Sequence, residues 1–177
     1  MSTDSTVLKP GDIVAGRFEL ERKLGEGGMG VVFLATQIQL RRKVALKLIL
    51  PEHAARKGAR ARFEREARVA SALRHPNAVE VYDFGEHQGA LYMAMELLTG
   101  VTLRSLVDLD RPPLPLVRAL RYARQIADVL TAAASIGLVH RDLKPENVMI
   151  ETAVDGSERV VVVDFGLAFM AEQGDMG

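Results

Sequence analysis

Residues 138–150 read LVHRDLKPENVMI, and this stretch concentrates more reactive side chains than any other part of the 177-residue chain. After His140 and Arg141, the acid Asp142 is followed by the cation Lys144 and the amide Asn147, with apolar residues on both sides. The simpler interpretation is a polar turn between two short strands. That interpretation does not explain why an acid, a cation and an amide gather within six residues. Phosphoryl transfer requires all three, because an acid accepts the hydroxyl proton, a cation offsets phosphoryl charge and an amide oxygen ligates a metal.

A second acid lies at the end of an apolar run, in the stretch VVVVDFG at residues 160–166. A carboxylate at this point, Asp164, can bind Mg²⁺, which prefers hard oxygen ligands. Taken alone, the motif is better explained as an ordinary turn after a buried strand. The metal hypothesis for Asp164 therefore depends on the other groups around it.

The glycine-rich stretch GEGGMGVV at residues 25–32 is a candidate phosphate-binding loop. Glycines let backbone amides approach phosphates closely, although a flexible hairpin turn explains the same residues. A dinucleotide fingerprint would need a helix after the glycines. The segment that follows, VVFLAT, is instead typical of a strand, so the pattern favours a glycine hairpin folded over a nucleotide.

A lysine and a glutamate have unusual positions in predicted elements of the first half of the chain. Lys47 lies in the β-run VALK, on the same side as Ala45, where the simpler interpretation is an edge lysine whose stem reaches water. Glu66 lies on the apolar face of the predicted helix 54–74, although most helical glutamates are solvated. A buried charge is stabilised by a partner of opposite sign. We therefore expect Lys47 and Glu66 to pair.

The chain divides into three predicted segments. Residues 1–16 form a polar lead segment, and residues 17–97 contain five predicted strands and one helix. A change of character at residues 97–100 marks the start of the third segment, 98–177. There the stretch 116–136 predicts a long amphipathic helix with Gly137 as its C′ residue, followed by short strands around 138–139, 148–150 and 160–163. One apolar stripe of this helix contains Leu116, Leu120, Ala123, Ala127, Leu130 and Ala134.

Composition excludes several classes of protein. Lys and Arg together number 23, as do Asp and Glu, so no global basic excess predicts a nucleic-acid partner. Cysteine is absent, which removes disulfides and thiolate metal sites and is compatible with a reducing compartment. No apolar run approaches the roughly 20 residues that a membrane helix needs. We therefore expect a cytoplasmic chain without a membrane segment.

Four motifs in the same order resemble the eukaryotic-type protein kinases, in particular the bacterial serine/threonine branch. They are G-x-G-x-x-G-x-V at 25–32, V-A-L-K at 44–47, H-R-D-L-x-x-x-N at 140–147 and D-F-G at 164–166. The resemblance implies an α+β, protein-kinase-like fold. Its N-lobe would be a five-stranded antiparallel sheet with one helix, and its C-lobe would be mainly helical. The family's domain continues well beyond D-F-G, so we expect this chain to represent the N-lobe and a truncated C-lobe.

The resemblance also implies that ATP and Mg²⁺ are bound. The glycine loop would cover the ATP phosphates, and Lys47, paired with Glu66, would contact the α- and β-phosphates. Met95 resembles the gatekeeper, and the backbones of Glu96 and Leu98 resemble the hinge that holds adenine. The implied nucleotide-binding set comprises Leu24, Gly25, Glu26, Gly27, Gly28, Gly30, Val32, Ala45, Lys47, Met95, Glu96, Leu98 and Met149.

The remaining implied roles concern the reaction. Asp142 resembles the base, Lys144 the γ-phosphate contact, and Asn147 and Asp164 the Mg²⁺ ligands. Lys-Pro-Glu at 144–146 is typical of kinases that act on Ser and Thr hydroxyls of proteins, and Arg141 usually accompanies phosphorylation of the activation loop. The implied partners are therefore protein substrates and, for autophosphorylation in trans, a second copy of the chain.

Two alternatives stay open at this point. The chain could be an ATP-binding, pseudokinase-like or regulatory module without catalysis, because the substrate platform expected after D-F-G is missing from it. A small-molecule kinase of related fold is a weaker alternative, since Lys-Pro-Glu argues against it. We further expect the apolar stripe of the long helix to be exposed in this chain, because in the family it is covered by later helices.

Overall fold

The computed structural model describes residues 8–27, 30–49, 51–55, 58–108 and 112–165. These residues form two compact units. The first contains the described residues up to 67 together with 81–97, and the second contains 68–80 and the described residues from 98 onward. The first seven residues of the predicted lead segment and the residues after 165, where the resemblance to the family implies the start of the activation loop, lie outside the described residues. The division into segments 1–16, 17–97 and 98–177 stays a prediction.

The described residues contain strands β1 to β9, helices α1 to α4 and one 3₁₀ turn. In chain order the elements are β1 Ile13–Val14, β2 Phe18–Gly27, β3 Gly30–Gln37, β4 Arg42–Ile49, α1 Pro51–Ala54, α2 Ala59–Ala72, β5 Val81–His87, β6 Ala90–Glu96, β7 Val101–Thr102, α3 Leu103–Leu106, α4 Leu116–Ser135, the 3₁₀ turn Pro145–Asn147, β8 Val148–Thr152 and β9 Glu158–Val162.

The first unit is built on an antiparallel sheet with the strand order β1-β2-β3-β4-β6-β5. Alternating residues of these strands are apolar, as a half-buried strand requires, and they form the core on one face of the sheet. The Phe18 and Tyr92 rings pack there with their centroids 5.8 Å apart. The buried residues of this core are Val14, Phe18, Leu20, Phe33, Ala35, Val44, Leu46, Leu48, Tyr92 and Ala94.

The sheet has six strands in the described residues, one more than the sequence predicted. The additional strand, β1, comes from the segment predicted to be a polar lead. It forms because Val14 is fully buried in the core, and because Leu20 donates its backbone N–H to Asp12 O and accepts one from Gly11. A strand of two residues is too short for alternation to reveal it. The short helix α1 was also not predicted.

The second unit combines the three-stranded sheet β7-β8-β9 with the long helix α4. The Arg118 guanidinium of α4 holds the Glu158 carboxylate of β9 through two contacts, at 2.6 and 3.1 Å, and also donates to the Tyr122 hydroxyl at 2.8 Å. A second link is buried: Asn77 donates to Gln125 Oε1 at 2.8 Å and to Val160 O at 2.7 Å. These polar contacts fix α4 against β9.

Helix α4 buries a different face from the apolar stripe noted in the sequence. Its buried residues are Tyr122, Val129 and Ala133, whereas Leu116 and Leu120 of the stripe are 73% and 60% exposed. The expected exposure of the stripe is therefore confirmed at these positions. Gly137 follows the helix with φ of 74°, as predicted for its C′ residue. None of the helices in the described ranges has the length and apolarity needed to cross a bilayer.

One predicted strand of the second unit is wrong. Residues 138 and 139 were expected to form a short strand, but they adopt no regular secondary structure. Leu138 is buried while Val139 is 58% exposed, and the Leu138 backbone N–H is bonded to Ala133 O at the end of α4. The Leu138 N–H, which a strand would need as a donor, is thus already bonded to a carbonyl oxygen at the end of the helix.

Gly30 provides a test of packing in the first unit. A Cβ at this position would lie 1.9 Å from the Leu48 carbonyl oxygen, whereas a Cβ at Gly25 would meet no atom within 4 Å. We expect Gly30→Ala to lower the free energy of unfolding by about 1–3 kcal/mol, because the strands must separate to admit the methyl group. The matched control Gly25→Ala should change it by less than about 0.5 kcal/mol. Urea unfolding of both variants checks this, and equal effects would contradict it.

The Arg118–Glu158 pair provides a test by pH. Hydrogen bonding from Arg118 lowers the pKa of Glu158 below its ordinary value. A lowered pKa means that the pair stabilises the fold above the unfolded pKa of glutamate, and that this contribution disappears as pH falls through the folded pKa. We expect Arg118→Met to reduce the free energy of unfolding by about 1 kcal/mol at pH 7. The deficit should shrink steadily below pH 4.5.

Denaturant unfolding of Arg118→Met between pH 7 and pH 3 measures this dependence. Arg124→Met, which removes an exposed arginine of the same helix, is the control and should show no pH-dependent deficit. A deficit in Arg118→Met that is independent of pH would exclude the ion pair as its cause.

Candidate functional site

The first unit brings five of the predicted nucleotide-binding residues onto one face of its sheet. Gly25 pairs with Val32, and Val32 pairs with Lys47, across three neighbouring strands. Ala45 precedes Lys47 by two residues and pairs with Met95, so both belong to the same face. The apolar core lies on the opposite face. The exposed fractions of Ala45 and Met95 are only 9% and 7%.

The glycines of the predicted phosphate loop differ in their surroundings. A Cβ added at Gly25 or Gly27 would meet no heavy atom within 4 Å, so packing does not require glycine there. Gly30 is required for packing, because its neighbour Leu48 O would clash with any side chain. Gly28 lies outside the described residues. Packing therefore explains the glycine at position 30, but it does not explain Gly25 and Gly27.

Two further predicted members of this set lie on the same strand as Gly25. Leu24 is 40% exposed, and Glu26 forms an ion pair with Lys23. The role of both residues in nucleotide binding stays a prediction.

Helix α2 lies over the face of the sheet that carries Lys47. The Phe63 ring of α2 meets the Phe84 ring edge-on at 6.3 Å. Phe84 pairs with Met93, and Met93 pairs with Lys47, so the three belong to one face. Glu66 follows Phe63 by one helical turn and is only 8% exposed, which confirms its predicted inward position. The direct pairing of Glu66 with Lys47 stays a prediction.

The residues predicted to hold adenine occupy a strand end and the segment after it. Glu96 is the last residue of β6, and Leu98 follows in a segment without regular structure. In the second unit Met149 lies on β8, half-buried, opposite Thr102 and Val161. Their contacts with adenine stay a prediction.

The second unit brings together the three groups that the sequence singled out in the stretch 138–150. Lys144 Nζ lies 2.7 Å from Asp142 Oδ2. The Asn147 side-chain amide donates from Nδ2 to the Asp142 backbone oxygen at 2.8 Å and to its Oδ2 at 3.1 Å. Asn147 is buried at 8% exposure, on a 3₁₀ turn that begins at Pro145. The loop therefore holds one carboxylate between a cation and an amide.

These contacts determine the charge of the loop. The hydrogen bond from Lys144, together with that from Asn147, lowers the pKa of Asp142, and partial burial opposes this shift only in part. The same contact with Asp142 raises the pKa of Lys144. Both shifts favour the charged form of each group, so the pair consists of a carboxylate and an ammonium at neutral pH.

His140 joins this loop to the end of β9 through the backbone of Val163. Its Nε2 lies 2.8 Å from Val163 O, and its Nδ1 accepts the Asp142 backbone N–H at 3.3 Å. Since Nδ1 accepts, Nε2 carries the proton. Asn147 O accepts the Val163 N–H at 3.0 Å. In the sequence His140 has no assigned role, and its position two residues before Asp142 is the signal that points to it.

Two residues of the site have left-handed backbones. Arg141 has φ of 64° and Asp164 has φ of 61°, a region that side chains other than glycine adopt at some cost. Strained backbone of this kind is found at functional sites, where the surrounding contacts enforce it. Here the enforcing contacts are those of Asp142 and Val163, the immediate neighbours of the two strained residues. The Gly166 of D-F-G lies outside the described residues.

The oxygen atoms of this loop suit a magnesium ion that has few protein ligands. Both hydrogens of the Asn147 amide face Asp142, which leaves the amide oxygen as an acceptor. Asp164 adds a carboxylate directly after Val163, whose backbone is bonded to His140 and Asn147. The described part of the chain has no cluster of three His, Cys, Asp or Glu that could hold a metal alone. Mg²⁺ is commonly bound through one or two protein groups plus substrate phosphates, so the donor set fits it.

Comparison with known proteins identifies the family. The family model described as "Protein kinase domain" matches residues 18–176. The chain is 39% identical to the serine/threonine-protein kinase pkn3 of Myxococcus xanthus over 100% of this chain and 32% of that protein. It is 39% identical to PrkC of Bacillus subtilis over 89% of this chain and 24% of that protein. The chain thus spans about a third or less of the length of these relatives.

A solved structure agrees with this relationship. The crystal structure of the Mycobacterium tuberculosis PknI kinase domain superimposes with a TM-score of 0.80 at 36% identity, covering 92% of this chain and 64% of that one. The α+β, protein-kinase-like fold expected from the four sequence motifs is therefore confirmed. Through its sequence and its fold, the chain belongs to the protein kinase family, among relatives of the bacterial serine/threonine type.

Proposed function

We propose that this chain is the catalytic part of a serine/threonine protein kinase, which transfers the γ-phosphoryl group of ATP to Ser and Thr hydroxyls of proteins. The observation that carries the proposal is the loop in which Asp142 lies within hydrogen-bond distance of both Lys144 and Asn147. An acid, a cation and an amide oxygen at this spacing are what phosphoryl transfer needs. The kinase names of the relatives support the proposal, and no observation favours a module without catalysis.

Asp142 would receive the proton of the attacking hydroxyl. The hydroxyl oxygen forms a bond to the γ-phosphorus while the bond from that phosphorus to the β–γ bridging oxygen breaks, releasing ADP. Asp142 is a carboxylate at neutral pH because its pKa is lowered by Lys144, so it can accept the proton without a prior ionisation. It is a weak base, and in a loose transition state its main effect is to orient the hydroxyl.

Lys144 and the metal ligands would manage the negative charge of the phosphates. The pKa of Lys144 is raised by Asp142, so its ammonium stays protonated and can offset charge on the moving phosphoryl group. Asn147 Oδ1 and the Asp164 carboxylate would hold Mg²⁺, which when bound neutralises the phosphate oxygens. His140 and Asn147 hold the backbone of Val163, the residue before Asp164.

The nucleotide would be bound by residues that the family resemblance assigns. In the first unit, the amides around Gly25 and Gly27 would contact phosphates, and Lys47, supported by Glu66, would contact the α- and β-phosphates. The sheet face that carries Val32, Ala45 and Met95 supports this assignment. The proposal includes protein substrates, autophosphorylation of one copy by another, and a kinase N-lobe at 17–97 followed by the first part of a C-lobe.

Two substitutions test the proposed activity in the full-length protein. Lys47→Met and Asp142→Asn should each reduce transfer of labelled phosphate from ATP by about 10²- to 10⁴-fold, because one loses a phosphate contact and the other the proton acceptor. Initial rates on casein, a Ser-rich phosphoacceptor, measure this. Arg124→Met, on the exposed side of α4, is the control with wild-type rates. Undiminished transfer in either test variant would exclude the role assigned to that residue.

His140→Phe tests the clamp on Val163. The phenylalanine ring can still pack on Phe165, which lies 4.9 Å from the His140 ring, but it loses both hydrogen bonds. We expect the free energy of unfolding to fall by about 1–3 kcal/mol, because two partly buried backbone groups lose their partner. We also expect kcat to fall more than tenfold, since Asp142 and Asp164 lose their common support. A wild-type kcat in this variant would contradict the clamp.

A further inference from the structure

A carboxylate in the second unit has no part in the proposed reaction, yet it holds the segment next to the predicted adenine contact. Glu151 Oε1 accepts the backbone N–H of Thr99 at 3.0 Å and lies 3.5 Å from the Thr99 hydroxyl. Thr99 directly follows Leu98, whose backbone is proposed to hold adenine. Residues 97–100 belong to no helix or strand, so their backbone N–H groups are not paired by regular secondary structure. The Glu151 side chain provides the acceptor for the Thr99 N–H.

The same segment is also fixed by backbone packing on β8. A Cβ at Gly100 would lie 2.0 Å from the Ile150 carbonyl oxygen, so the two backbones touch. Val101 then pairs with Ile150 in the small sheet. Thr99 and Gly100 are thus held by consecutive residues of one strand, Glu151 through its side chain and Ile150 through its carbonyl group.

Glu151 also lies on the same face of its strand as Met149, a predicted nucleotide-binding residue. Met149 and Glu151 are two residues apart on β8, so their side chains point to the same side, and both are half-buried. One strand therefore supplies an apolar surface for adenine through Met149 and the carboxylate that fixes the segment beside it. A shift of Glu151 would move the Leu98 backbone relative to Met149.

Arg159 fixes Glu151 in turn. Arg159 Nη1 donates to Glu151 Oε2 at 3.2 Å, while its Nε donates to Pro76 O at 2.7 Å in the loop after α2. The side chain of Glu151 is 22% exposed and that of Arg159 is 37% exposed. Both carboxylate oxygens of Glu151 thus have a partner, which fixes the rotamer that reaches Thr99.

We propose that Glu151 is a positioning residue for nucleotide binding: it holds the backbone that follows Leu98, and thereby sets the affinity of the enzyme for ATP without acting in the transfer step. This inference rests on the proposed kinase function. The groups proposed to handle the γ-phosphate, Asp142 and Lys144, contact each other, and Asp142 also accepts from Asn147. The expected signature is a change in the KM for ATP with little change in kcat.

Steady-state kinetics of the full-length protein, with ATP varied and casein as phosphoacceptor, test the proposal. Glu151→Ala should raise the KM for ATP about five- to tenfold, because the Thr99 donor loses a charged acceptor, with kcat within about twofold of wild type. Glu151→Gln keeps an acceptor of the same shape, so it should recover most of the loss. Glu80→Ala removes another arginine-paired carboxylate of this unit, at 47% exposure, and should leave KM unchanged.

Three results would overturn the proposal. They are an unchanged KM in Glu151→Ala, a KM in Glu151→Gln as high as in Glu151→Ala, and an equal loss of kcat and thermal stability without a specific change in KM. If Glu151→Ala does not fold, Glu151→Gln decides: a KM raised about two- to threefold supports the proposal, because a neutral acceptor is weaker than a carboxylate, and a wild-type KM overturns it. Absence of transfer by the wild-type protein would refute the proposed function itself, whereas wild-type transfer with an unchanged KM refutes only this inference.

Discussion

The two hydrogen bonds on the backbone of Val163 are the constraint on which the reactive end of the second unit depends. The His140 ring binds the Val163 carbonyl group and the Asn147 backbone oxygen binds its N–H, so both backbone polar groups of the residue that follows β9 have a partner. The same two residues contact Asp142. The His140 ring accepts the Asp142 backbone N–H, and the Asn147 amide donates to the backbone and side-chain oxygens of Asp142. His140, through its ring, and Asn147, through its side-chain amide and its backbone oxygen, thus connect Asp142 to the residue that precedes Asp164. The valine strand supplies the rigid base, because Val160, Val161 and Val162 are fully buried.

The two units use polar groups in different ways. In the first unit Lys47, which we propose contacts phosphates, lies on a regular strand, and its surroundings are fixed by the register of the sheet. In the second unit the proposed catalytic groups lie in a loop, and their positions depend on side-chain hydrogen bonds to backbone atoms. Loops need such bonds because they lack a ladder that satisfies their backbone. The loss of one side chain therefore displaces more of the neighbouring backbone in the loop than in the sheet.

Much of this organisation could be predicted from the sequence, for physical reasons that are visible in particular residues. Alternation along RKVALKLI places Lys47 and Ala45 on one face, and helical spacing places Glu66 with Phe63, because these periods are local properties of the chain. The strand β1 and the partner of Leu138 could not be predicted, since each depends on contacts with residues distant in sequence. The same is true of Gly30. Gly30 fits a phosphate-loop motif in the sequence. The contact with the Leu48 carbonyl oxygen, which also excludes any side chain at this position, follows only from the register of the sheet.

The left-handed backbones of Arg141 and Asp164 have a consequence for how substitutions accumulate here. Glycine would relax the backbone at either position, since it has no Cβ to disfavour φ near 60°. Selection for folding stability alone would therefore favour glycine at both positions. That change would remove an arginine and a carboxylate. A residue other than glycine is retained at such a position when the benefit of its side chain to function exceeds the cost of its backbone conformation to stability. Engineering for thermostability that relaxes the backbone would thus remove the Arg141 and Asp164 side chains, and with Asp164 a proposed Mg²⁺ ligand.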